Sequence, residues 1–316
     1  MLSRRDKQSR AVIDAAISQI ASDNTSGAAE ILRRAGAVFT LLNTSLGQVT
    51  DTSELAQQAV IQTCIALALA QPDMSALLRL ASAAFSAARI ATGARETLEA
   101  AQEAALNFIE NAERGTRGAA LHGAALIRDG ATVLTHSRSS TALAAFLEAK
   151  RRGSDFSVVA TESRPMLEGR VLAKAIASQD IRVTLIADAA ASLAMEHVDL
   201  VMVGADKITP VNLVNKIGTR MIVLAARERD LPVYALCDTS KFIREDYFGV
   251  GIRDLGGTNE LWTKAPRGVA VANRCFEPTP LAFFTGIITE DGALPIKEVA
   301  RRAKQAAIDK ELVNAF

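Results

Sequence analysis

Residues 130–146 read GATVLTHSRSSTALAAF, in which a short apolar run leads into a polar segment and then an alanine-rich stretch. A run of this kind is typical of a buried strand, and the alanine-rich stretch is typical of a helix. Further apolar runs occur at 156–161, 182–187, 200–204 and 233–237. Helix-like segments lie near 140–152, 167–178, 189–197 and 214–229. Because alternating helices impose parallel pairing on buried strands, the pattern predicts an α/β fold with a doubly wound, Rossmann-like parallel sheet.

The first part of the chain has a different pattern. Apolar residues recur at helical spacing between Ala28 and Leu42, and further helices are predicted at about 52–71, 73–91 and 94–114. We therefore predict a helical N-terminal domain over 1–115 and a Rossmann-like phosphosugar-binding domain over 116–316. The helical domain by itself indicates only packing or oligomerisation.

Composition excludes several classes of protein. The net charge is +1, which argues against a polybasic surface for nucleic acid or membrane, and 49% of the residues are hydrophobic, which argues against disorder. The three cysteines form no CxxC pair, and no histidine and carboxylate spacing indicates a metal site. The chain starts without a continuous apolar run. We expect a cytoplasmic protein with no metal, no cofactor and no direct nucleic-acid contact.

Polar residues follow each predicted strand. They are His136 and Ser137, Glu162, Asp188, Asp206 and Asp238. In open α/β sheets the ligand crevice lies beyond the carboxyl ends of the strands, so these residues are expected near one edge. Asp and Ser are also ordinary helix N-caps, so the set locates a site better than any single member does.

Two strand-to-helix junctions could hold an anion. The first comprises Thr135, His136, Ser137, Arg138, Ser139 and Ser140; the second comprises Asn215 and Lys216, just before a helix expected over 220–229. Helix N-termini favour negative charge, and neither a Walker A loop nor GxGxxG after a strand is present, so a small phosphorylated ligand is expected. Plain capping remains the alternative for the serines, and an exposed first-turn lysine the alternative for Lys216. Arg138 and Arg164 either bind the same anion or face solvent.

These segments together resemble one family. They are GATVLTHSRSS (130–140), VVATESRPMLEGR (158–170), LIADAAASLAM (185–195), VMVGAD (201–206), the stretch NKIGTRMIVLAARERDLPVYALCDTSKF (215–242), FEPTP (276–280) and TGIITEDGAL (285–294). The family is that of initiation factor 2B α, β and δ subunits, which also contains methylthioribose-1-phosphate and ribose-1,5-bisphosphate isomerases. The resemblance implies a helical domain, a sugar-phosphate-binding domain, and dimers that can assemble further.

The resemblance also implies roles for individual residues. Asp206 stands where the isomerases have a catalytic aspartate, and Ser137 stands where they have a catalytic cysteine. A hydroxyl is a far poorer proton donor than a thiol, whose pKa is about 8.5. Asp206 and Ser137 are therefore the candidate catalytic residues. The candidate substrate- or phosphate-binding residues are Thr135, His136, Arg138, Ser139, Ser140, Glu162, Arg164, Asn215 and Lys216.

Two functions remain open at this point. The first is an initiation factor 2B-related protein that binds a sugar phosphate or nucleoside monophosphate without turnover. The second is an aldose–ketose isomerase of a pentose 1-phosphate, in which Ser137 or His136 would act on the ring oxygen of the sugar. A structural subunit with a vestigial site is a third alternative. In each case a homodimer or higher homo-oligomer is expected, with a small phosphorylated sugar or nucleotide as the partner of the first two.

Overall fold

The computed structural model describes residues 4–23, 26–47, 52–247 and 257–314. The chain begins with five helices, α1 (Arg4–Ser22), α2 (Ala28–Leu46), α3 (Ser53–Ala70), α4 (Ser75–Ile90) and α5 (Ala94–Ala124). The apolar stripe of α2 is buried, including Ile31, Phe39 and Leu42. Thr52, directly before α3, accepts a hydrogen bond from the Leu55 amide and so caps this helix. The helical N-terminal region predicted from the sequence is confirmed.

The rest of the chain alternates between strands and helices. The order is β1 (Thr132–Thr135), α6 (Ser140–Arg151), β2 (Ser157–Thr161), α7 (Glu168–Ala177), β3 (Arg182–Ile186), α8 (Ala191–Ala194), β4 (Leu200–Val203), β5 (Lys207–Ile208), β6 (Asn212–Lys216), α9 (Thr219–Glu228), β7 (Val233–Leu236), α10 (Thr258–Leu261), β8 (Phe276–Pro280), β9 (Gly286–Thr289), β10 (Gly292–Leu294), α11 (Ile296–Gln305) and α12 (Lys310–Asn314).

The chain contains two compact units. One comprises the described parts of Met1–Glu113 and Ala306–Phe316, and the other comprises those of Arg114–Gln305. Helix α5 runs without a break through residue 115, and α12 clusters with the helical unit rather than with the sheet. The assignment of two domains over 1–115 and 116–316 stays a prediction.

The main sheet has the strand order β10-β9-β7-β4-β1-β2-β3. In this sheet the neighbouring pairs β3–β2, β2–β1, β1–β4, β4–β7 and β7–β9 are all parallel, and β10 pairs antiparallel with β9. Strand β1 lies between β2 and β4, with Val133 opposite both Val158 and Leu200. The strand order reverses between β1 and β4, and such a switch point is where an open α/β sheet binds its ligands. The predicted Rossmann-like parallel sheet is confirmed.

The sheet is covered by helices on both faces. On one face, residues of α5, α6 and α7 such as Ala124, Phe146 and Leu172 pack with Val133 and Met202 in one apolar cluster. Helix α9 packs against β4 and β7, where its Ile222 and Val223 are fully buried. Each face buries the alternate side chains of the strands, so the strands read as continuous apolar runs.

Strand β3 departs from this pattern. The continuous apolar reading predicts burial on both faces, yet Arg182, Thr184 and Leu185 are exposed. The strand lies at the edge of the sheet and pairs only with β2. An edge strand lacks a neighbour on one side, so the expectation of full burial is wrong for β3.

Two local expectations were also wrong. The segment 189–197 is not one helix: α8 is a single turn flanked by 3₁₀ turns. The segment 214–229 is not helical throughout, because residues up to Lys216 form β6 and pair with β5 and β8 in a second, antiparallel sheet.

The described helices include none with the length and apolar content that crossing a bilayer requires.

Candidate functional site

The imidazole of His136 joins three segments at the carboxyl edge of the sheet. Its Nδ1 lies 2.6 Å from Oγ1 of Thr161, and its Nε2 lies 2.8 Å from the carbonyl oxygen of Ile217. A carbonyl only accepts, so Nε2 carries the proton and Nδ1 accepts from the threonine hydroxyl. The side chain is buried, which lowers the pKa of His136 below its ordinary value. His136 is therefore a neutral connector between β1, β2 and the end of β6, and this geometry favours a positioning role over contact with a ligand.

Ser137 follows in a left-handed conformation, with φ of 65°. Its amide donates to Oγ of Ser163, which is itself left-handed with φ of 62°. Asp188 holds this second turn, since its two carboxylate oxygens accept from the amides of Ser163 and Arg164, each at 2.7 Å. Non-glycine residues in this region store strain of about 1–3 kcal/mol each, and such residues cluster at functional sites. The network fixes the backbone conformation of Ser137 at the switch point.

The first predicted anion junction lies at the N-terminus of α6. The hydroxyl of Ser139 accepts from the Ala142 amide at 3.1 Å, so Ser139 is the N-cap of this helix. Ser140 is the first helical residue and is exposed. The Ser139 hydroxyl accepts from only one backbone amide of the first turn, that of Ala142. The amides of the first two helical residues have no acceptor within the helix. The end of the helix therefore offers donors and a favourable dipole to an anion.

Asp206 follows β4 on the other side of the switch point. Its amide donates to the carbonyl of Val214 at 3.0 Å, which places it at the start of the β5–β6 hairpin. Burial raises the pKa of the Asp206 carboxyl above its usual value. Lys241, Lys216 and Lys207 act in the opposite direction and Glu168 adds to the effect of burial. Asp206 is thus a carboxyl whose charge depends on surrounding cations.

The three lysines around Asp206 are all buried. Lys207, Lys216 and Lys241 have relative exposures of 1%, 5% and 5%. Lys241 ends a 3₁₀ turn after β7, and the next two residues pair with Ile208 of β5, which brings this turn to the strand that follows Asp206. Lysine is almost never fully buried without compensation. Here Lys216 is paired with Glu168, and Lys207 and Lys241 also have partners within the protein, so the cluster concentrates positive charge at this edge without leaving a lysine unpaired.

Lys216 lies in strand β6 and not at a helix start. Its Nζ lies 2.5 Å from Oε1 of Glu168, at the first residue of α7, and 4.7 Å from the centroid of the Phe276 ring. The alternative of an exposed first-turn lysine is wrong, because Lys216 is buried and precedes α9, and its role in binding a phosphate stays a prediction. The sequence gives little sign that β6 is a strand, because Val214 is the only β-branched residue in NLVNK.

Asn215 points toward the first junction. A Cβ added to Gly204 would lie 2.9 Å from the Ser139 Cβ and 3.8 Å from the Asn215 Oδ1, so Ser139 and Asn215 meet over a position that tolerates only glycine. The Asn215 amide donates to Oγ1 of Thr219 at 2.9 Å, and that hydroxyl donates to the carbonyl of Lys216. The fold thus brings together parts of both predicted junctions.

The N-terminus of α9 is already occupied by the protein's own carboxylate. Oε1 of Glu277 accepts from the amides of Gly218 and Arg220, at 2.8 and 2.9 Å. Gly218, with φ of 101°, turns the chain from β6 into α9 directly beside the His136 ring. The expectation that these amides bind a ligand anion at the second junction is wrong, because the neighbouring strand β8 supplies the anion.

The remaining predicted residues differ in burial. Arg138 and Arg164 are exposed, and Glu162 accepts a bond from Arg170 at 2.7 Å. The Thr135 hydroxyl is buried at the end of β1 and finds no hydrogen-bond partner among the described residues. The site roles assigned to these residues from the sequence stay predictions.

Sequence reasoning missed several residues that the fold brings to this edge. They are Thr161, Ser163, Glu168, Lys207, Lys241 and Glu277. The signals were faint: Glu168 and Ser163 stand within the quoted TESRPMLEGR stretch, and Lys241 in DTSKF. Cys237 directly follows β7 and is fully buried, and burial raises the pKa of its thiol, so the side chain does not supply a thiolate.

Comparison with known proteins agrees with this architecture. The family model described as Initiation factor 2 subunit family matches residues 24–296. A ribose 1,5-bisphosphate isomerase of Archaeoglobus fulgidus is 37% identical over 217 residues, an alignment that covers 66% of this chain and 68% of that protein. A putative translation initiation factor eIF-2B subunit 2-like protein of Pyrococcus furiosus is 31% identical, over 88% of this chain and 94% of that protein.

A solved structure shares the whole fold. The translation initiation factor eIF-2B of Pyrococcus horikoshii OT3 superimposes with a TM-score of 0.76 at 29% sequence identity, over 90% of this chain and 97% of that one. The family-model match over residues 24–296 and the structural match over 90% of this chain lead to one conclusion: this chain belongs to the initiation factor 2 subunit family.

Proposed function

We propose that this protein binds a small sugar phosphate or nucleoside monophosphate at the switch point between β1 and β4, and that it acts as a binding member of its family. The observation that carries the proposal is the set of three buried lysines around Asp206 at that point. Each of these lysines has a partner within the protein, and Lys216 is paired with Glu168. Three ammonium groups near one point still concentrate positive charge there, and such a concentration attracts a phosphate.

A phosphate fits the rest of the edge as well. The N-terminus of α6 supplies backbone donors, and Arg138 is exposed beside it. Asn215 and the Thr135 hydroxyl supply neutral polar groups for sugar hydroxyls. The relative from Archaeoglobus is named for a ribose bisphosphate, which agrees in chemical class with a phosphorylated pentose as ligand.

Binding without turnover is favoured by the residue at 137. The isomerase relatives are expected to use a thiol there, whereas this chain has a hydroxyl. General acid–base catalysis contributes typically ~10²–10⁴-fold, so this exchange would remove most of the rate. Cys237 does not replace the thiol, because its buried side chain stays protonated.

Isothermal titration with ribose 5-phosphate, ribose 1,5-bisphosphate and AMP tests the proposal. We expect saturable binding to at least one of them, weakened at least tenfold by Lys216→Gln. Absence of binding to all three at millimolar concentration would contradict it.

A second candidate is an aldose–ketose isomerase of a pentose 1-phosphate. The observation in its favour is Asp206, whose raised pKa brings a carboxyl closer to the range useful for proton transfer. Phosphorus NMR of ribose 1,5-bisphosphate with stoichiometric protein measures turnover directly. Measurable conversion by the native chain would replace the first proposal by this one. Conversion only after Ser137→Cys would support the binding protein with an otherwise intact site.

Two wider expectations belong to this proposal. A homodimer or higher homo-oligomer and a cytoplasmic location both stay predictions. Sedimentation analysis of the purified chain tests the first, and a purely monomeric species at micromolar concentration would contradict it.

A further inference from the structure

The carboxylate of Glu168 lies where an anionic ligand of Lys216 would have to bind. Oε1 is 2.5 Å from Nζ, and the side chains of Glu168 and Lys216 are 14% and 6% exposed. Glu168 begins α7, directly after the left-handed residue Leu167. This start of the helix fixes the carboxylate against the end of β6.

The two oxygens of Glu168 differ in their surroundings. Oε1 is bound by Lys216, whereas Oε2 is buried and has no hydrogen-bond partner among the described residues. A buried carboxylate oxygen without a donor is unfavourable. The ion pair with Lys216 therefore leaves the second carboxylate oxygen, Oε2, unsatisfied. An ion pair that served stability alone would have a hydrogen-bond donor to that oxygen as well.

The donors of Lys216 are not exhausted by this pair. An ammonium carries three N–H groups, one of which is directed at Oε1 while the Phe276 ring covers another side at 4.7 Å. A phosphate that approaches Nζ meets the like charge of Glu168, whose side chain is only 14% exposed. Repulsion between charges in such surroundings is much stronger than in water.

We propose that Glu168 is the internal competitor of the ligand phosphate for Lys216, and that it sets the affinity of the site by acting through that lysine. This inference rests on the proposed phosphate site. Glu168 is thus a positioning residue: in the unliganded chain it holds Nζ, and on binding it gives up or shares that group. The arrangement keeps the buried lysine compensated when no ligand is present and makes release of the ligand easier.

The variant Glu168→Gln removes the charge and keeps the size and one acceptor oxygen. We expect it to bind ribose 5-phosphate and inorganic phosphate about tenfold more tightly than the native chain, in titrations of the full-length protein. Glu148→Gln, at a surface carboxylate paired with Arg151 and Arg152, is the matched control and leaves the affinities unchanged. A merely structural role of Glu168 would produce weaker binding and not tighter binding.

Two further variants keep the result decisive. In Glu168→Gln with Lys216→Gln the gain disappears, which assigns it to the lysine. Glu168→Asp withdraws the carboxylate by one methylene and gives an intermediate gain, and it serves in place of the glutamine variant if that chain does not fold.

The outcomes separate this inference from the proposed function. If the native chain binds a phosphosugar and the Glu168 variants bind it equally or less tightly, only the inference is overturned. If the native chain binds none but the variants bind, the inference is supported and the proposed function of the native chain fails. If none of these proteins binds phosphate or phosphosugar, both fail.

Discussion

The contact between Thr161 and His136 gives the sharpest test of how this site is held. Valine replaces threonine with almost the same shape but cannot donate to Nδ1 of His136, which now lies 2.6 Å from the hydroxyl. Both residues are buried, so the imidazole nitrogen would lose its partner away from water. Leaving a buried acceptor unsatisfied costs about 1–3 kcal/mol. Ser163 Oγ, at 3.4 Å from the same nitrogen, can compensate in part, which favours the lower half of that range.

Hydrogen exchange at the backbone amides of β1 and β2 measures this change locally. It reports on these strands alone, in a chain that contains two compact units. A loss of 1–3 kcal/mol corresponds to roughly 5- to 150-fold faster exchange through the opening of these strands. Thr184→Val, on the exposed face of the neighbouring strand, is the control and should change exchange by less than about 0.5 kcal/mol.

The reasoning is refuted if the backbone amides of β1 and β2 exchange as slowly in Thr161→Val as they do in the control Thr184→Val. That result would mean that the hydroxyl of Thr161 is not the donor to His136. The assignment of the proton to Nε2 would then have to be abandoned.

Other consequences of the same edge can be measured by thermal unfolding. Gly169→Ala would put a Cβ 1.8 Å from the Thr161 carbonyl oxygen and should lower the free energy of unfolding by about 3 kcal/mol or more. The control Gly153→Ala, at a φ of 90° with open space around the added Cβ, should lower it by only about 1–2 kcal/mol. Equal losses in the two variants would contradict the close approach at Gly169. Glu277→Gln weakens the bonds to the start of α9 and should cost about 1.5–3 kcal/mol, and an unchanged Tm would show that this carboxylate does not cap the helix. Burial lowers the pKa of His136 from 6.5, so its stabilising contribution is full above pH 6.5 and is lost as pH falls through the lower, folded value. The acid-side fall in Tm should therefore be shallower in His136→Asn, and an identical pH profile would exclude His136 as the cause.

The pattern of apolar runs and helices was enough to predict the parallel sheet, and the apolar stripe of α2 was enough to predict a buried helix face. These features are local: they depend on the side-chain period and on residue type. The same local reasoning was wrong for Lys216, because β6 is held as a strand by pairing with β5 and β8, and β8 lies about sixty residues further along the chain. Pairing partners at that distance leave no local signal.

The sequence by itself determined the alternation of strands and helices, the polar residues that follow β1 and β4, and the family to which their order belongs. Only the tertiary structure decided which of these residues have partners within the protein. His136 bridges Thr161 and Ile217, Glu277 caps α9, and Glu168 holds Lys216. The physical reason is that charge and hydrogen-bond compensation in a buried site depends on distances between segments, and these distances exist only once the sheet has brought its strand ends together.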